Sequence, residues 1–238
     1  VLVTCGSQQA LDLLAKLFIN PGDAIIVEKP SYLGALQTFG SYQARFVAVP
    51  ADDGGIMVEA LEEAIIRQRP KLIYLSTFSK TVAPGLRLGW IVAEEDLIAR
   101  LVLAKQGADL HTGTLVQRAV HHYLTNSDVS GHIRAIRAEY GRRRDVMLEE
   151  MDRSFPAGVA WTAPEGGMFL WVTLPELFDA VILLDRAVAE KVAYVPGAPF
   201  YPDGDGRNTL RLNFSNSTPE QIREGIRRLA GLFDCSLN

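Results

Sequence analysis

The chain has 238 residues, of which 48% are hydrophobic and 22% charged. That is enough apolar material for a sizeable core, and it excludes a disordered or collagen-like polypeptide. Its 24 basic and 28 acidic residues leave a net charge of −4, which gives no electrostatic footing for nucleic acid, and no uninterrupted apolar run is long enough to span a bilayer.

The chain begins at Val1 inside a predicted strand, Val1–Thr4, with no initiator Met, and reads as part of a longer protein. Gly6-Ser7-Gln8 turns this strand into a helix whose apolar face is Ala10, Leu11, Leu14, Leu17 and Phe18. Asn20-Pro21-Gly22-Asp23 ends it. A strand is expected at Ala24–Val27, a helix at Leu33–Phe39, a strand at Arg45–Val49, a helix at Val58–Arg67 and a strand at Lys71–Leu75. This alternation predicts an α/β fold with a mostly parallel sheet. Helices are expected at Glu94–Leu103, Thr114–Leu124 and Gly131–Arg153, and strands at Val159–Thr162 and Met168–Thr173. The end reads as a helix (Val181–Lys191), two strands (Val192–Val195 and Thr209–Phe214) and a closing helix (Pro219–Phe233). At about 150 residues per domain, the pattern divides into a large domain, 1–126, and a smaller α+β domain, 127–238.

Cys5 and Cys235 form no CxxC, which points to a reducing, cytoplasmic setting. His111, His121, His122 and His132 lack metal-ligand spacing, so no metal site is expected. Asp203-Gly204-Asp205-Gly206 has its glycine misplaced for a calcium loop and reads as a surface turn. The basic run Arg134, Arg137 and Arg142–Arg144 alternates with Glu139, Asp145, Glu149 and Glu150, as on a solvated helix face.

Chemistry concentrates in Ser76-Thr77-Phe78-Ser79-Lys80-Thr81-Val82-Ala83-Pro84-Gly85-Leu86-Arg87. An isolated Ser-Lys pair is ordinarily a polar loop. Here the lysine follows a strand and a hydroxyl cluster, and Arg87 comes beyond a Pro-Gly turn. Such a set can hold a phosphorylated aldehyde: Lys80 supplies the amine, and Thr77, Ser79 and Arg87 bind phosphate oxygens. Gly6-Ser7-Gln8, at a strand-to-helix turn, can turn free N–H groups and the positive helix end toward the same phosphate.

The stretch resembles the internal-aldimine signature of fold-type I aminotransferases, which use pyridoxal 5′-phosphate (PLP). It is most similar to the branch holding 2-aminoadipate and kynurenine aminotransferases and the aminotransferase-like half of MocR-type regulators. Further matches are Gly6-Ser7-Gln8-Gln9, Pro30-Ser31-Tyr32, Lys105–Thr112, Gly166-Gly167-Met168-Phe169, Val195-Pro196-Gly197 and Leu210-Arg211-Leu212. The resemblance implies that Ser7 and Gln8 touch the PLP phosphate, that Tyr32 stacks on the pyridine ring, and that Arg211 holds the substrate's α-carboxylate. It implies a transaminase that moves the amino group of an L-amino acid to a 2-oxo acid, works as a homodimer and uses Lys80 to shuttle the proton at Cα. Arg211 and Gln106–Thr112 read as fitted to an amino-acid substrate, which favours an enzyme over the effector-binding half of a regulator or an inactive fragment. Donor identity is left open.

The chain also departs from the family's pattern. Between Lys71–Leu75 and the lysine motif the family carries several tens of residues, with an Asn for the 3′-oxygen of PLP and an Asp for the pyridinium nitrogen. Here Leu72-Ile73-Tyr74-Leu75 runs straight into Ser76-Thr77-Phe78, as if one strand's start were fused to another's end. The chain therefore reads as truncated. If these residues are the whole polypeptide, weak PLP binding and little transamination are expected.

Overall fold

A computed structural model describes residues 1–52, 55–68 and 74–237. The chain divides into two compact units, Val1–Val129 and Ser130–Asn238.

The first unit is organised by helix α1 (Gly6–Phe18). Ala10, Leu11, Leu13, Leu14 and Ala15 are buried while Asp12 and Lys16 face out, as a 3.6-residue period requires. This face packs on Ile91 and Leu101 with Leu2, Leu97 and Ile98 around them. Strand β1 (Leu2–Thr4) leads into α1. After it come β2 (Ala24–Lys29), α2 (Leu33–Ser41), β3 (Arg45–Asp52), the two-residue β4 (Gly55–Ile56) and α3 (Val58–Gln68). Strands β2 and β3 pair in parallel with α2 as their crossover, and β4 lies antiparallel to β3.

The expected strand at Lys71–Leu75 lies partly outside the described residues. The described strand, β5, is Tyr74–Thr77 and runs into the lysine motif. It pairs with a strand the sequence reading did not assign, β6 (Gly89–Val92), which also pairs with β1, giving the order β1-β6-β5. Both pairings are antiparallel; β5 and β6 are joined directly by the short Phe78–Leu88 loop, with no crossover helix between them. Parallel pairing is thus confined, among the described residues, to β2 and β3. Helix α4 (Glu95–Asp109) continues past the expected end at Leu103, and α5 (Thr114–Asn126) follows.

Helix α6 (Val129–Ser154) opens the second unit. Its sheet has the order β7-β8-β10-β9, from Ala160–Trp161, Phe169–Thr173, Thr209–Asn213 and Val195–Pro196, and every pairing is antiparallel. Leu170, Val172, Leu210 and Leu212 point to a core shared with Met147 and Met151 of α6 and with Ile222, Ile226, Leu229 and Phe233 of α8 (Pro219–Leu237). Helix α7 (Ala180–Ala189) starts at Asp179, whose carboxylate accepts from the Val181 and Ile182 N–H groups. The strand expected at Val192–Val195 is reduced to β9. The preceding residues are tied back to α7 instead: the Val192 N–H donates to Ala187 O at 2.9 Å, and the buried Tyr194 hydroxyl donates to Ala180 O at 2.7 Å. Among the described residues no helix is long and apolar enough to cross a membrane.

The Glu150 carboxylate lies 1% exposed on α6. It accepts from Arg227 Nε at 2.9 Å and Ser154 Oγ at 3.1 Å, with Arg153 close by. Burial alone would raise its pKa, but these hydrogen bonds and the arginine charges hold it below the ordinary value. A carboxyl lowered in the folded state adds stability above its unfolded pKa and loses it as pH falls through the folded one. Glu150→Gln is therefore expected to flatten the acid limb of a stability-against-pH curve, and Glu150→Ala to cost about 2 kcal/mol at neutral pH, both read by urea unfolding.

Candidate active site

The turn from β1 into α1 is built for close approach. Gly6 has φ +75°, and a Cβ there would lie 2.8 Å from Arg87 Nη2 and 3.2 Å from its Cζ, so the guanidinium lies directly against the start of α1. Gly89 of β6 presses on the same turn, where a Cβ would stand 2.9 Å from the Gly6 carbonyl carbon and 3.0 Å from Ser7 N. The first-turn N–H groups have no acceptor within the helix, and that turn carries no acidic side chain. Positive helix end and guanidinium therefore meet at one spot.

The lysine loop is pinned beside it. The Phe78 N–H and Thr77 Oγ1 both donate to Leu88 O at 3.0 Å, the Ser79 N–H donates to Thr77 Oγ1 at 3.2 Å, and the two hydroxyls lie 3.0 Å apart. The Phe78 and Trp90 rings pack with centroids 4.5 Å apart. Arg87 takes a left-handed conformation, φ +48°, at the end of the Pro84–Leu86 turn, and this turns its side chain back to Gly6. Lys80 is exposed in the turn after β5.

Gln8 and Tyr32 close on Gly34, where a Cβ would meet Gln8 Oε1 at 2.6 Å and Tyr32 Cζ at 2.8 Å. Gln8 Nε2 donates to Gly34 O at 3.0 Å and to Thr38 Oγ1, so the side-chain amide nitrogen is committed to α2 and its backbone N–H is what it can offer an anion. Tyr32 is 57% exposed, which leaves its ring available for stacking.

Ser7, Gln8, Tyr32, Thr77, Ser79, Lys80 and Arg87 all belong to the first unit. Arg211 belongs to the second, on β10 opposite Trp171 of β8. Its guanidinium lies 4.0 Å from the Phe169 ring centroid and 4.8 Å from that of Phe200. Aromatic faces on a guanidinium fix its plane and leave the edge to a carboxylate.

Two residues of the Gln106–Thr112 segment, Asp109 and Thr112, are engaged by the β1–α1 turn. Asp109 forms an ion pair with Lys105 at 2.6 Å, accepts from Gln9 Nε2 at 2.8 Å and from the Cys5 thiol at 3.4 Å. The Thr112 hydroxyl, in a residue 4% exposed, donates to Val3 O at 3.3 Å. Both side chains are spent on the β1–α1 turn, a role that the i,i+4 spacing of Lys105 and Asp109 could have signalled.

The model of the aminotransferase class I and II family matches residues 1–74 and 65–229. The chain belongs to this family. Aromatic-amino-acid aminotransferase 1 of Thermococcus litoralis is 40% identical over 297 aligned residues, which cover 97% of this chain and 71% of the relative. The structure of LysN, the α-aminoadipate aminotransferase of Thermus thermophilus complexed with N-(5′-phosphopyridoxyl)-L-leucine, superposes with a TM-score of 0.93 at 36% identity, covering 99% of this chain and 77% of that one. An HTH-type transcriptional regulator of Bacillus subtilis, YisV, is 26% identical, with 97% of this chain and 60% of the regulator covered. The 297 aligned positions exceed the 238 residues here, and the two family matches overlap at residues 65–74.

PLP is the cofactor of this aminotransferase, and the donor set at the start of α1 fits a phosphate monoester: a helix N-terminus, a guanidinium and serine and threonine hydroxyls. Its ring nitrogen finds no counterpart in the lysine loop, since no carboxylate stands between Tyr74 and Lys80. Gly89→Ala is expected to lower stability by about 1–3 kcal/mol, because the clash is with backbone atoms that cannot rotate away, and to weaken inorganic phosphate binding in parallel. Thermal unfolding and isothermal titration check the two effects.

Proposed function

We propose that this aminotransferase holds PLP through Lys80 and a phosphate cradle made by Ser7, the Gln8 backbone, Thr77, Ser79 and Arg87, and that Arg211 fixes the α-carboxylate of the amino-acid and 2-oxo-acid substrates. The observation that carries this reading is the Arg87 guanidinium lying against Gly6 at the start of α1. A dianionic phosphate there would meet a full positive charge and a helix end at once. When bound, PLP supplies an electron-withdrawing ring that accepts the electron pair released at Cα.

Each protein group then has a defined task. Tyr32, exposed beside Gly34, supports one face of the ring. The hydroxyls of Thr77 and Ser79, already oriented by Leu88 O, accept or donate as the phosphate requires. Lys80 Nζ would hold the cofactor through its aldehyde carbon and, once freed by the incoming amino acid, would carry the proton from Cα to the cofactor's C4′. Arg211, its plane fixed by Phe169 and Phe200, binds the carboxylate with two parallel N–H donors. Residues 1–126 act as the cofactor-binding part and 127–238 as the smaller part, in a cytoplasmic homodimer.

If these residues are the whole polypeptide, the lack of a carboxylate between Tyr74 and Lys80 is expected to weaken PLP binding and to slow the amino-acid half-reaction roughly 10²–10³-fold relative to LysN. The similarity to YisV supports a second reading, the PLP-binding half of a regulator. An upstream winged-helix sequence in the full-length protein would favour that reading, and a short arm leading into the first unit would favour the enzyme.

The test begins with borohydride reduction of the PLP-loaded chain. Mass spectrometry should place the cofactor on the Lys80 peptide, and Lys80→Ala should abolish both the label and the visible absorbance. A label on another lysine overturns the assignment. Arg211→Ala should raise KM for the amino acid about 30–100-fold and leave PLP affinity unchanged; steady-state kinetics and fluorescence titration separate the two.

A further inference from the structure

Behind the β1–α1 turn lies a charged cluster that the proposed reaction does not use. Lys105, near the end of α4, is 4% exposed. Its Nζ donates to Asp109 Oδ1 at 2.6 Å, to Asp109 Oδ2 at 2.8 Å and to Gln9 Oε1 at 3.0 Å. The same Gln9 Oε1 accepts from the Cys5 N–H at 2.8 Å, and Gln9 Nε2 donates to Asp109 Oδ2 at 2.8 Å. Cys5 is the residue that caps α1, and its thiol also donates to Asp109.

This arrangement has two consequences for an anion bound in front of the turn. The Cys5 N–H is consumed on the inner side, and Gln9 is locked, so the following N–H groups of Gly6, Ser7 and Gln8 are left for the ligand in a fixed direction. The second consequence is electrostatic. A carboxylate next to a helix N-terminus competes with any incoming anion for the positive end. Burial pushes the Asp109 carboxyl up, but hydrogen bonds from Lys105, Gln9 and Cys5 together with the Lys105 charge hold it below its usual pKa, so it is ionised. Only the Lys105 ammonium cancels that charge from within the cluster.

We propose that Lys105, Asp109 and Gln9 form a positioning clamp that sets the phosphate affinity of the β1–α1 turn, with Lys105 neutralising a carboxylate that would otherwise repel the phosphate. The inference rests on the reading of that turn as the PLP phosphate cradle. Lys105 and Asp109 touch neither substrate nor cofactor; they act through Cys5 and Gln9.

The probes are PLP and pyridoxal, which differ only in the phosphate, each titrated into the full chain by fluorescence without turnover. The unaltered chain should prefer PLP. Lys105→Met should weaken PLP about tenfold while pyridoxal binding stays within a factor of about two. Asp109→Asn should cost less than Lys105→Met, and the double variant Lys105→Met/Asp109→Leu should regain part of the loss, a recovery that a merely structural role would not produce. Equal losses for PLP and pyridoxal, or no recovery in the double variant, overturn the clamp. If Lys105→Met does not fold, Gln9→Met, which leaves the ion pair intact, should still weaken PLP selectively by about threefold, and unchanged PLP affinity there overturns the clamp as well. An unaltered chain that binds PLP no better than pyridoxal would remove the phosphate cradle itself, and the clamp with it.

Discussion

Everything in the first unit converges on the absence of a side chain at two positions, Gly6 and Gly89. Because neither has a Cβ, the start of α1, the strand β6 and the guanidinium of Arg87 occupy a space that would otherwise be filled with carbon. A helix end gathers partial positive charge whatever its sequence. What sets this one apart is that it is backed by an arginine held in a left-handed turn. The cost of such a conformation is met by the apolar face of α1, where Ala10, Leu13 and Leu14 are closed against Ile91 and Leu101.

The chemistry was more legible in the sequence than the wiring behind it. The lysine, the hydroxyls and Arg87 stand close together along the chain, so their spacing carries the signal, and α1, α2 and α8 declare themselves through apolar periodicity. Strand β6 did not, because Gly-Trp-Ile-Val is only four residues long and follows a Pro-Gly loop. Its central place depends on β1 and β5, which come from far apart in the chain. The partners of Asp109 are hidden for a related reason. Within its own segment it is one polar residue, and only the fold brings Gln9 and Cys5, about a hundred residues earlier, against it. Long-range pairing of this kind leaves no local trace beyond the i,i+4 match with Lys105.

Each unit presents a guanidinium in a different setting. In the first, Arg87 lies against the start of α1, where the first-turn N–H groups have no acceptor within the helix. The second carries a guanidinium against the Phe169 and Phe200 rings on a β-sheet face, where alternation places Leu210 and Leu212 in the core and Arg211 on the other side. An arginine on a strand cannot swing as one on a loop can, so its guanidinium is held in a fixed plane.

Strand β5 is the outer member of the order β1-β6-β5, hydrogen-bonded among the described residues on one side only. Four residues held along a single edge open more readily than a strand gripped on both, and Thr77, Ser79 and Lys80 follow whatever β5 does. Hydrogen exchange of the Tyr74–Thr77 amides would thus behave as a clock for opening at the base of the lysine loop. Among the described residues this edge has no partner strand, and an unpaired edge is where a foreign strand would add most easily.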